Sequence, residues 1–130
     1  MEWMRIETRD GATAFAPGEA VEGTASWQLE RPAQTVELRL FWYTRGKGDE
    51  DMGVVSTVPF PEPALMDSRG FRITLPAGPF SFSGKLISLI WALEVVAEPG
   101  SRAGRLEITV SPTRREILLQ PYLPPASSDR

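Results

Sequence analysis

LPAGPFSFSGKLISLIWALEVVA, Leu75 to Ala97, is the stretch whose reading decides the fold. It opens on a Pro/Gly/Ser-rich segment and passes into the longest apolar run of the chain. Two periods fit that run. On a helix, Leu86, Leu89, Ile90, Leu93 and Ala97 recur at spacings of three and four and share a face. On a strand, Ile87, Leu89, Trp91, Leu93 and Val95 point one way, while Leu86, Ser88, Ile90, Ala92, Glu94 and Val96 point the other. Context favours the strand. Gly84 precedes the run and Pro99-Gly100 follows it. Ile87, Ile90, Trp91, Val95 and Val96 suit a pleated surface, because branched and aromatic side chains lose χ1 freedom against a helical turn. A helix is the alternative.

The neighbouring segments alternate with period two. Upstream, Val36, Leu38, Leu40 and Trp42 face inward, and Glu37, Arg39, Phe41 and Tyr43 outward. Two outward aromatics are unusual: either a loop (61–69) or the tail (117–123) covers them, or they are exposed. Val21, Gly23, Ala25, Trp27 and Leu29 alternate with Glu22, Thr24, Ser26 and Gln28, as in a half-solvated strand. The small Gly23 and Ala25 suggest a bulky neighbour over them, Trp42 or Trp91. Trp3 to Thr8 is a weaker strand, and turns fall at Asp10-Gly11 and at Ala16-Pro17-Gly18-Glu19. A polar hairpin at Arg45 to Asp51 leads to a strand from Met52 to Phe60. Pro59, Pro61 and Pro63 place the end of that strand at an edge or outside the sheet. An irregular connection then runs through Ser68 to a short strand at Phe71, Ile73 and Leu75. Downstream, Leu106, Ile108 and Val110 form a strand that Pro112 stops.

These signals predict an all-β fold: an antiparallel, immunoglobulin-like β-sandwich of seven to eight strands, with the four tryptophans supplying much of the core. Residues 1–112 make the sandwich. Residues 113–130 make a tail with a short edge strand at Ile117 to Leu119, then a Pro-rich end expected to be partly disordered.

Composition narrows the chemistry. A chain of 130 residues is long enough to bury roughly two thirds of its unfolded surface in one domain. It has no cysteine and therefore no disulfide. It has no histidine either, which removes the commonest general base and metal ligand. A net charge of −3 without a basic block argues against a nucleic-acid surface. The longest apolar run falls short of the ~20 residues that span a bilayer. The opening MEWMRIETRDG has no hydrophobic leader core, so a cytoplasmic location is expected.

Three segments in order resemble the amino-terminal half of the arrestin family: FAPGEAVEGTASWQL (Phe15 to Leu29), VELRLFWYTRG (Val36 to Gly46) and FRITLPAGPFSFSGKLISLIWALEVVAE (Phe71 to Glu98). The first is similar to the family's aromatic-x-Pro-Gly-Glu-x-Val-x-Gly opening, and the third to its Leu-Pro turn and long strand with an inward aromatic. Order and spacing match over about residues 4 to 111, and Gly104 to Val110 fits the closing strand. Arrestins and the related retromer subunits carry two such sandwiches, and this chain has room for one. The resemblance implies an arrestin-type sandwich of the bacterial single-domain kind. It also implies a non-enzymatic adaptor or scaffold that binds a protein partner, or a second copy, through a sheet edge or an apolar sheet face.

The candidate partner-binding residues are Phe41, Tyr43, Ile117 and Leu119. No catalytic, cofactor or metal residue is assigned. Asp49, Glu50 and Asp51 are adjacent acids that cannot all converge on calcium and suit a solvated hairpin tip. Pro17-Gly18-Glu19 suits a turn, and Gly46-Lys47-Gly48 lacks P-loop spacing. Arg102, Arg105, Arg114 and Arg115 are diluted by Glu107 and Glu116. The alternative function is a small-ligand binder or hydrolase with an inter-sheet pocket, using carboxylates or Ser81, Ser83 and Lys85. A third is one half of an assembly with another chain.

Overall fold

Residues 87–98 form an extended strand, not a helix, in a computed structural model that describes residues 1–46, 50–84 and 87–118. In chain order the strands are β1 (Trp3–Thr8), β2 (Ala14–Phe15), β3 (Ala20–Gln28), β4 (Thr35–Gly46), β5 (Met52–Pro59), β6 (Met66–Thr74), β7 (Phe82–Ser83), β8 (Ile87–Glu98), β9 (Arg102–Val110) and β10 (Ile117–Leu118). The only helical piece among the described residues is a 3₁₀ turn at Arg9–Gly11, where Asp10 and Gly11 take positive φ.

Two sheets enclose one core. The smaller runs β1-β3-β6. The larger runs β10-β7-β8-β4-β5, with β9 also paired to β8 and β2 to β9. β8 is central because β4 pairs along its whole length on one side, while β7 and then β9 take the other. Leu89, Trp91, Leu93, Val95 and Ala97 enter the core, as alternation requires. From the facing sheet come Ile6, Val21, Ala25, Trp27, Phe71 and Ile73. The long pairings are antiparallel. Two short ones, β2 with β9 and β10 with β7, are parallel.

Three details depart from the sequence reading. β6 starts at Met66, inside the segment expected to be irregular, because Met66, Asp67 and Ser68 pair with Gln28, Trp27 and Ser26. Before Phe71 this strand buries no side chain, so alternation did not reveal it. The neighbour over Gly23 is Phe71: a Cβ at Gly23 would come within 2.9 Å of its ring and 2.2 Å of the Glu7 carbonyl oxygen. Finally, only two of the four tryptophans are fully buried, Trp27 and Trp91. Each donates its indole N–H to a loop carbonyl, Trp27 to Ala64 (2.9 Å) and Trp91 to Pro79 (2.8 Å), so the loops at 60–65 and 75–81 cap the core. Trp42 and Trp3 are half-buried.

Candidate interaction surface

Directly paired residues share a sheet face, so the register of β9, β8, β4 and β5 defines rows across the outside of the larger sheet. One row reads Ile90–Tyr43–Met52, the next Glu107–Ala92–Phe41–Val54, and the next Arg105–Glu94–Arg39–Thr57. Phe41 and Tyr43 point outward, as the alternation predicts. They are not bare, however. Phe41 is only 4% exposed and Tyr43 is half-buried.

Among the described residues the cover comes from side chains of the same sheet; residues 119–123 of the tail lie outside them. The Tyr43 ring stacks on Phe41 with centroids 5.9 Å apart, and the Arg105 guanidinium lies 5.1 Å from the Phe41 ring and 5.3 Å from the Tyr43 ring. Arg105 is held there by Glu94 at 3.1 Å. The phenol of Tyr43 donates to Glu107 (2.8 Å) and accepts from Arg45 (3.0 Å), which also reaches Glu107 at 3.2 Å. Tyr43, first through its hydrogen bond and then electrostatically, and after it the charge of Glu107, raise the pKa of the Arg45 guanidinium above its usual value. Phe41 and its cross-strand neighbour Ala92 are thus buried on the outer face, outside the main core, under charged side chains.

Cover runs out toward β5. Met52 is 63% exposed, Val54 54% and Val55 39%. Among the described residues β5 is the last strand of its sheet, so one row of its backbone groups has no strand partner there. All eight residues, MGVVSTVP, are uncharged. Between Leu40 and Phe41 the register shifts: Leu40 faces Ser56 and Phe41 faces Val54, leaving Val55 as the extra residue of a bulge. On the inner side the Trp42 indole lies over Gly53, where a Cβ would come within 2.5 Å of the ring. Sequence reasoning placed the end of this strand at an edge or outside the sheet and did not single out Met52, Val54 and Val55. An uncharged edge strand was the available signal.

Of the remaining expected site residues, Ile117 is 38% exposed on β10, at the far edge from β5. Leu119 lies outside the described residues. The four arginines are dispersed. Arg102 binds Glu2 (3.0 Å) and the carbonyl of Arg31 (2.9 Å), Arg105 binds Glu94, and Arg114 binds Glu19. Pro17-Gly18-Glu19 is a turn in which Glu19 accepts the Ala16 N–H at 2.8 Å.

Two concavities accompany these surfaces. A groove of about 910 Å³ runs along Thr8, Arg9, Glu22, Gly23 and Arg72, and its charges pair with one another, Glu22 receiving both Arg9 (3.0 Å) and Arg72 (3.1 Å). A smaller one of about 350 Å³ is lined by Ser81, Ser83, Ser88, Arg45, Glu107 and Glu116. Ser81 Oγ accepts the Val110 N–H (2.9 Å), Ser83 Oγ is 3.5 Å from that of Ser88, and Lys85 lies outside the described residues. No cluster of three Asp, Glu, His or Cys able to hold a metal occurs among the described residues; Asp51 accepts the Met52 N–H, and Asp49 is not described. No helix among the described residues is long and apolar enough to cross a membrane.

No family model matches the chain, and no curated protein matches it in sequence. Its likeness to known proteins lies in the fold. The chain is similar to Spo0M, a sporulation control protein from Bacillus subtilis, with 17% identity and a TM-score of 0.59 over 85% of its length. It spans about half of Spo0M, 49%. That likeness supports the relation to the arrestin fold.

Proposed function

We propose that this chain is a non-enzymatic protein-interaction module, an arrestin-type sandwich working in the cytoplasm, that accepts a partner strand on the outer edge of β5. The observation that carries the reading is the edge itself: an eight-residue uncharged strand with three exposed apolar side chains. Edge strands of stable monomers are ordinarily guarded by charge. β6, at the open edge of the smaller sheet, carries Asp67, Arg69 and Arg72 and follows that rule. β5 does not, so its backbone row is available for β-augmentation. Tyr43, at the border of the apolar rows, forms the inner margin of the contact, and Ile117 marks a second, smaller contact at the opposite edge. The relation in fold to a sporulation control protein suits a regulatory binding role.

The hydrolase alternative has weaker support, because Glu107 already accepts from Tyr43 and Arg45 and has no free role as a base. A photo-crosslinking side chain at position 54 tests the proposal in lysate against the same group at position 72 on β6. Capture of a polypeptide from position 54 and not from 72 is expected. Equal capture from both, or none from 54, would discard the β5 reading.

A further inference from the structure

We infer that the strand received by β5 is the β5 of a second copy of this chain, paired antiparallel about a two-fold axis near Val55. The inference rests on the β5 reading above and specifies its partner. A two-fold pairing sets every residue against a residue of the same short segment, so any charge in the strand raises the prospect of like charges meeting. Met52–Pro59 holds none. A strand selected for a charged partner would be expected to carry the complementary sign, and this one carries neither.

The backbone bounds the pairing. Phe60 donates its N–H to Val36 at 2.9 Å, so by alternation Pro59 turns its backbone away from β4. There a missing N–H leaves the β4 ladder intact but ends any ladder built on the outer edge. The outer ladder is thereby confined to residues 52–58. Val55 is also the bulged residue, without a partner on β4, and the bulge shifts the alternation so that Val54 and Thr57 share the outer face while Ser56 lies on the core side opposite Leu40. A two-fold axis between Val55 and Ser56 sets Val54 opposite Thr57 of the second copy, outer face against outer face. Val54 gains a cross-strand neighbour, and the outer-face row that ends at Val54 runs on into the row that ends at Thr57 in the second sheet.

The test uses the full chain across a dilution series, with mass read by light scattering. A mass of twice 14.4 kDa at high concentration, falling to 14.4 kDa on dilution, is expected. Val55→Lys puts like charges beside the axis and is expected to raise the dissociation constant at least about tenfold. Val55 is 39% exposed, so circular dichroism should show the variant folded. Because the chain has no cysteine, Val55→Cys supplies one thiol per copy and is expected to form a covalent dimer on mild oxidation, whereas Thr74→Cys on β6 is not. A wild-type mass of 14.4 kDa throughout, or a dimer indifferent to Val55→Lys, overturns the inference. A peptide MGVVSTVP separates the two levels of failure. If the chain stays monomeric but the peptide protects β5 amides from hydrogen exchange, the edge reading stands and self-pairing falls. If there is neither dimer nor protection, both fall.

Discussion

Arg105 gives Phe41 the cover that a loop would otherwise supply, and it does so from β9, 64 residues along the chain. A guanidinium over an exposed ring contributes about 0.5–1 kcal/mol at most sites of this kind. Arg105→Ala should therefore lower stability only slightly while uncovering the ring, and a rise in binding of a hydrophobic dye without loss of β-sheet circular dichroism would show it. Gly53 answers to Trp42 in the opposite sense. Its missing side chain is the space the indole occupies, so Gly53→Ala must push the ring 2.5 Å away aside. A cost of about 1–3 kcal/mol is expected in urea unfolding, the range for overpacking. At this scale the sequence showed direction but not cover. Alternation sent Phe41 outward correctly; nothing in the neighbouring residues could show that a distant arginine, fixed by Glu94, would lie over it.

Among the elements, β8 was the most legible, since its alternation, its branched and aromatic content and its Gly and Pro flanks agree. β6 was half-hidden because an edge strand with one solvated side and an Asp67–Arg69 ion pair on the other has no apolar rhythm before Phe71. The join between the sheets was invisible for a related reason. β1 meets β9 where Gly104 admits the Met4 carbonyl, and a Cβ there would stand 2.2 Å from that oxygen. Such an approach is set by tertiary packing and leaves only a glycine in the sequence. Gly104→Ala should separate β1 from β9. The expected outcome is a loss of about 1–3 kcal/mol, with faster hydrogen exchange confined to β1 and the middle of β9.

For the whole molecule, acid is the informative stress. Asp67 accepts from the Arg69 side chain first, then from the Ala64 and Ser68 N–H groups, and these hold its carboxyl below the usual carboxylate range. A folded-state pKa below the unfolded one stabilises the fold above the unfolded value, about 4, and that stabilisation fades as pH falls through the folded value. Glu2, lowered by the Glu30 N–H and by Arg102, acts with the same sign. Stability of the chain should thus decline as pH drops below about 4. Asp67→Asn should be less stable at neutral pH and show a shallower acid decline, as followed by thermal melts from pH 7 to pH 3. The loop that Asp67 holds is the one capping Trp27, so loss of the staple should register in the core.

The placement of Trp42 gives the molecule a built-in optical probe. Trp27 and Trp91 are sealed from solvent, and Trp3 sits on β1 in the other sheet. Changes in emission colour should therefore arise mainly from the indole that rests on Gly53, at the rim where a new strand would arrive. A blue shift with rising protein concentration, abolished by Trp42→Phe, would report occupancy of that rim without any label.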